Sequence, residues 1–134
     1  MIRSESFPTD SPEYQLMEFL HAWKKGKYKT MVSHCQKTWL SGKKDPSQAL
    51  RLMFEHATLE TAEIIDIDRN INVSNKKLKI KMEDGLVCDI LISLKVNTIT
   101  HVRKVRLLKE EDAYDLSENG DWGVNPISML REIK

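Results

Sequence analysis

Glycine is scarce in this chain, five residues in 134, and the five are scattered. That excludes a glycine-rich loop of the kind that cradles phosphates with backbone N–H groups. Cysteine is scarcer still, with only Cys35 and Cys88. Both fall on apolar stripes, so the expectation is two reduced thiols in the core of a cytoplasmic protein, not a disulfide scaffold. Neither sign of charge is in excess: 21 Lys plus Arg face 20 Asp plus Glu, a net of +1. So even a balance supplies no overall field to gather nucleic acid or anionic lipid, and neither is expected as a partner.

Long apolar runs are also missing. The longest, residues 87–96, is broken by Asp89 and Lys95. It falls far short of the ~20 residues that a membrane-spanning helix needs. The first eight residues contain no apolar run, so no signal peptide is expected. The chain is compatible with being the soluble part of a longer, anchored precursor. His21, His34, His56 and His101 share no ligand spacing, and no carboxylate stands at a zinc-helix offset from them. Residues 109–121 hold six acids against Lys109, yet without the order of a calcium loop. No metal site and no cofactor are expected.

What is present is a change of hydrophobic period near residue 57. Before it, apolar residues recur at helical spacing. Ser11-Pro12-Glu13 starts a helix with a capping hydroxyl, Pro at the first helical position and an acid at the positive dipole end. Met17, Leu20 and Trp23 form its stripe, Tyr14 and Phe19 flank it, and Lys24-Lys25-Gly26 ends it. Tyr28, Met31, Val32, Cys35 and Trp39 then share one face of a second helix, closed by Ser41-Gly42. Asp45-Pro46-Ser47-Gln48 opens a third, with Leu50, Met53 and Phe54 as its stripe and Leu52 beside it. Residues 1–10 read as a loose arm.

After residue 57 the period is two. Ile65 and Ile67 are expected on one strand face, Asp66 and Asp68 on the other. Leu78, Ile80 and Met82 alternate with Lys77, Lys79 and Lys81, and Glu83-Asp84-Gly85 follows as a turn. Cys88, Ile90, Ile92, Leu94 and Val96 form the clearest core face. The strand over 100–109 slips phase between Val102 and Val105, which predicts a bulge. Asn119-Gly120 predicts a hairpin turn, and Asp121-Trp122-Gly123-Val124 a last strand before Pro126.

The expected fold is a single α+β domain over 1–134, with three N-terminal helices on one face of a curved, mainly antiparallel sheet of four to six strands. The helices over Tyr14–Trp23 and Tyr28–Trp39, the strand meander and the closing Asp-Trp-Gly-Val-Asn-Pro at 121–126 carry a resemblance. In element order, over residues 12–130, the chain resembles the nuclear-transport-factor-two-like superfamily, a cone-shaped fold that also houses ketosteroid isomerases. The resemblance implies a cone lined here by Trp23, Tyr28, Met31, Trp39, Met53, Ile80 and Ile92, residues that equally serve as core filling.

Enzymes of that superfamily place an acid and a hydrogen-bond donor, or an Asp-Arg-Asp set, inside the cone, and neither set aligns here. The polar candidates are His21, Asp89, His101 and Tyr114, each more simply structural, with Asp89 on the outer strand face. His34 and Cys35 are neighbours about 100° apart on a helix and do not form a thiolate pair. Lys76, Lys77, Lys79 and Lys81, with Arg103, Lys104 and Arg106, make a basic strip without aromatics for stacking, a poor nucleic-acid signal. Val87 and Leu91 on the outer sheet face point to a homodimer contact, as the resemblance also implies. The function expected is therefore binding, of an apolar small molecule in the cone or a protein partner on the sheet. An isomerase- or hydratase-like enzyme and a structural module of a larger assembly are the alternatives.

Overall fold

A computed structural model of the chain describes residues 7–68 and 86–130. It is α+β, with helices α1 (Pro12–Lys24), α2 (Tyr28–Val32), α3 (Lys37–Ser41), α4 (Pro46–Phe54) and α5 (Pro126–Leu130). Strands β1 (Leu59–Asp68), β2 (Val87–Val96), β3 (Ile99–Asp112), β4 (Asp115–Leu116) and β5 (Asp121–Val124) form one antiparallel sheet. The strand expected over Lys77–Met82 and its turn at 83–85 lie outside the described residues.

The helix starts follow their caps. Ser11 Oγ accepts from the Tyr14 N–H, and an Asp45 carboxylate oxygen accepts from the Gln48 N–H, each just before a proline. Gly26, at φ +68°, makes the exit from α1. The arm is not loose throughout: Phe7 packs on the core, and the Ser11 N–H and hydroxyl both donate to the Pro8 carbonyl.

The single helix expected over 28–39 is two. At residues 33–36 the backbone leaves the helix to cover the free edge of β5. The Val124 N–H donates to the His34 carbonyl and the Gln36 N–H donates to the Val124 carbonyl. Unpaired strand edges are costly, and here that pairing replaces about one turn of helix. The stripe survives the break, since Met31, Cys35 and Trp39 are all buried. Gly123 permits the approach: a Cβ there would lie 2.4 Å from the Gln36 Cα.

The core lies between α1–α4 and the inner sheet face. Phe54 meets Phe19 and Trp23 edge-on at 5.7 and 4.8 Å, and Trp23 donates its indole N–H to the Ala57 carbonyl at 2.9 Å. From β2, Cys88, Ile90, Ile92, Leu94 and Val96 all project into it, as their alternation predicts. Both cysteines are buried, and neither is in a disulfide.

The bulge expected in β3 is absent. Pairing with β2 runs unbroken from Val87↔Leu108 to Val96↔Ile99, so Val102 and Val105 simply face opposite sides. Bulges fall in β1 instead, at Glu60 and Ile65, where the register shifts. The second turns Ile65 outward, 53% exposed, and leaves Ile64 and Ile67 as the inward residues, correcting the expected pairing of Ile65 with Ile67.

Asn119-Gly120 is a turn but not a hairpin turn. The Ser117 N–H donates to the Lys109 carbonyl, on the edge where the Lys109 N–H reaches Leu86, so β4 continues the β2 edge of β3. The chain then crosses to the opposite edge, where β5 pairs with Leu107–Glu110. Gly120 passes over the Glu110 backbone, where a Cβ would sit 2.2 Å from the Glu110 carbonyl carbon. Close approach, not a left-handed φ, is what demands glycine there.

Candidate functional site

The sequence-predicted polar candidates do not converge. His21 is half-buried on α1, and Tyr114 sits 41% exposed in the β3–β4 turn at φ 60°. His101 faces inward at the hairpin end of β3, two residues from Arg103. An Arg103 Nη lies 3.4 Å from His101 Nδ1, and Arg103 Nε is buried without a partner. His34 and Cys35 lie in the non-helical segment between α2 and α3, and they take different partners. His34 Nδ1 meets Gln15 Oε1 at 2.7 Å, while Cys35 Sγ donates to the Met31 carbonyl. Burial pushes the Cys35 thiol up to about 12, far from a thiolate nucleophile. Burial also lowers the His34 imidazole, against a smaller opposing pull from Glu18.

Of the residues expected to line a cone, Trp23, Met31, Trp39 and Ile92 are buried core, and Tyr28 and Met53 pack against it. Ile80 lies outside the described residues. Among the described residues no group of three or more His, Cys, Asp or Glu could hold a metal ion, and no helix is long and apolar enough to cross a membrane.

The acidic stretch is partly structural. Glu110 is fully buried, and its carboxylate accepts from the Thr38 N–H at 3.2 Å and from the Thr38 hydroxyl, capping α3 from a distant strand. Lys37 reaches Asp121 at 3.3 Å.

The expected basic strip is divided by the sheet: Arg103 faces inward, Lys104 and Arg106 outward. Arg106 is neutralised. Its Nε and one Nη donate to the two oxygens of Asp89 at 2.8 and 2.9 Å, a bidentate pair that holds the guanidinium above its ordinary range. Asp89 lies on the outer face as expected but is buried, at 5% exposure. A cleft of about 280 Å³ opens beside it, bordered by Lys104, Arg106, Asn125 and Ser128. Val87, expected as an exposed outer apolar residue, is 1% exposed because Leu86, Leu108 and Leu116 cover it in a second small cluster. Leu91 is half-buried.

The register orders the rest of this outer face into rows. Asp66 stands opposite Leu91, and Leu91 opposite Lys104; Glu63–Ser93–Val102 lies on one side and Asp68–Asp89–Arg106 on the other. Acids thus stand along β1, a neutral or internally satisfied column along β2, and Val102, Lys104 and Arg106 along β3. Val102 is 52% exposed. Lys104, Asp66 and Asp68 each carried a sequence signal, but their row needs the cross-strand register, which sequence periodicity does not give.

No protein-family model matches the chain, and neither a curated protein nor a solved structure does.

Proposed function

We propose that this chain is a non-catalytic binding domain of nuclear-transport-factor-two-like architecture that self-associates through the outer face of its sheet. The observation that carries the reading is the Asp66–Leu91–Lys104 row, acid, apolar and base across three strands. A two-fold axis running along the strands over β2 sets each copy's β1 against the other's β3. Asp66 of one copy then meets Lys104 of the next, with Leu91 against Leu91 at the centre. A closed two-fold contact needs this kind of self-complementary surface. Exposed Val102 adds apolar area in the neighbouring row.

The second support is chemical. Asp89, Glu110 and Cys35, three of the buried groups with catalytic potential, are each bound to a structural partner. Light scattering at micromolar protein tests the proposal. The wild type is expected as a dimer, with Asp66→Lys and Lys104→Asp each shifting it to monomer and the double charge swap restoring it. A monomeric wild type, or a double swap no better than either single variant, contradicts it.

A further inference from the structure

We infer that the helical layer carries a separate binding site for a phosphate ester, in the cavity between the start of α2 and the start of α4. The cavity measures about 510 Å³, whereas two others lined by described residues measure about 280 and 190 Å³. The first falls in the range of roughly 300–1,000 Å³ typical of small-molecule sites, and these two do not. It is larger than a bare phosphate requires, so an organic portion fits with it.

Its lining is cationic. Lys27, Lys29 and Arg51 border it, no carboxylate does, and Tyr28, Thr30 and Gln48 add hydroxyl and amide groups. The carboxylates nearest in sequence bond to residues at its border. Asp45 accepts from the Ser47 hydroxyl and the Gln48 N–H, and Glu55 accepts from Arg51 Nε at 3.1 Å. The Arg51 bond uses one of five guanidinium donors, leaving the terminal nitrogens for a ligand. Lys27 and Lys29, with the terminal nitrogens of Arg51, suit a group that carries more than one negative charge, and guanidinium and ammonium both suit phosphate oxygens.

The even net charge of the chain hides this local excess. From Lys24 to Arg51 the sequence holds eight Lys and Arg against Asp45 alone, whereas residues 109–121 are acidic. The concave shape favours a compact ligand over the extended backbone of a nucleic acid, which tracks along a groove and stacks on exposed aromatics. Tyr28, the one aromatic at the cavity, is half-buried and packed against the core.

Titration calorimetry with pyrophosphate and with ATP, at physiological salt, tests the site on the full chain. Both are expected to bind the wild type. The Lys27→Gln/Lys29→Gln variant, altering two exposed side chains, is expected to weaken binding at least about tenfold for the loss of charge-assisted contacts. Lys95→Gln, the same kind of substitution at an exposed position near the end of β2, is expected to leave it unaltered. Vesicles containing phosphatidic acid distinguish the source of the phosphate: capture of vesicles that the double variant fails to capture also supports the site and assigns it to a lipid headgroup. Absence of binding by every phosphate probe overturns the inference. So does equal weakening by Lys95→Gln, or tighter, steeply salt-dependent binding of a single-stranded oligonucleotide. None of these results depends on whether the chain dimerises through its sheet.

Discussion

The two faces of β2 are built from the same ten residues and solve different problems. On the inner face Cys88, Ile90, Ile92, Leu94 and Val96 are all at or below 1% exposure. On the outer face burial is graded along the strand: Val87 and Asp89 are buried, Leu91 and Ser93 half-buried, Lys95 exposed. The inner side is uniform because one helical layer covers it from end to end. The outer side is graded because only its start is covered, by a small cluster drawn from Leu86, Leu108 and Leu116. A strand's alternation reports which face a residue takes; what lies over that face is decided by distant segments.

Truncating neighbours across the strand sharpens that contrast most. Ile92→Ala removes a fully buried side chain and is expected to cost about 2–5 kcal/mol in urea unfolding. Leu91→Ala, one position along and half-buried, is expected to cost under about 1.5 kcal/mol. Equal losses would mean that the outer face is core as well.

The buried ion pair comes next. Asp89→Asn leaves Arg106 without its counter-charge and is expected to destabilise by about 2 kcal/mol. That is below the ~3–5 kcal/mol seen for fully buried pairs, because the Arg106 side chain is 35% exposed and water screens it. Lys104→Ala, in the adjacent row, is expected to leave monomer stability within about 0.5 kcal/mol.

The inner helical layer also gives a pH signature. Burial lowers the folded-state pKa of His34 below its unfolded value, so the unfolded chain takes up the proton first on acidification. The contribution is intact above the unfolded value of about 6.5 and is lost as pH falls through the lowered folded one. His34→Gln is expected to flatten that part of the stability–pH curve, and an unchanged curve would place the imidazole in water.

The smallest effect concerns the thiols. Cys35 and Cys88 are expected to resist a thiol reagent at pH 8 in the native state and to react only at the rate of unfolding, since burial suppresses the thiolate of Cys35. Rapid native labelling would mean that the inner face is open.

Which of these features could be read in advance follows the range of the interactions involved. Caps are local, so Ser11-Pro12 and Asp45-Pro46 were legible. Asn125-Pro126 carries the same signal and opens α5, where the Asn125 carboxamide oxygen accepts from the Ile127 N–H. Reading Pro126 only as the end of a strand missed it. The inner face of β2 was legible because burial there is uniform. The break at 33–36 was not, because it is set by the edge of β5, ninety residues later in the sequence. Nor were the β1 bulges, since Ile64, Ile65 and Ile67 satisfy either phase of an alternation. The Asp66–Leu91–Lys104 row was hidden for the same reason: its members lie on three strands.

The proposed dimer sets the outer face of the sheet against a second copy of itself. Pulsed dipolar spectroscopy on a spin label at Ser93→Cys, in the centre of that face, reads the contact itself. Face-to-face sheets pack about 10 Å apart, so a short, well-defined distance between labels on two copies is expected. No intermolecular coupling from that site at micromolar concentration, with coupling instead from a label at Leu52→Cys on the helical side, would contradict it.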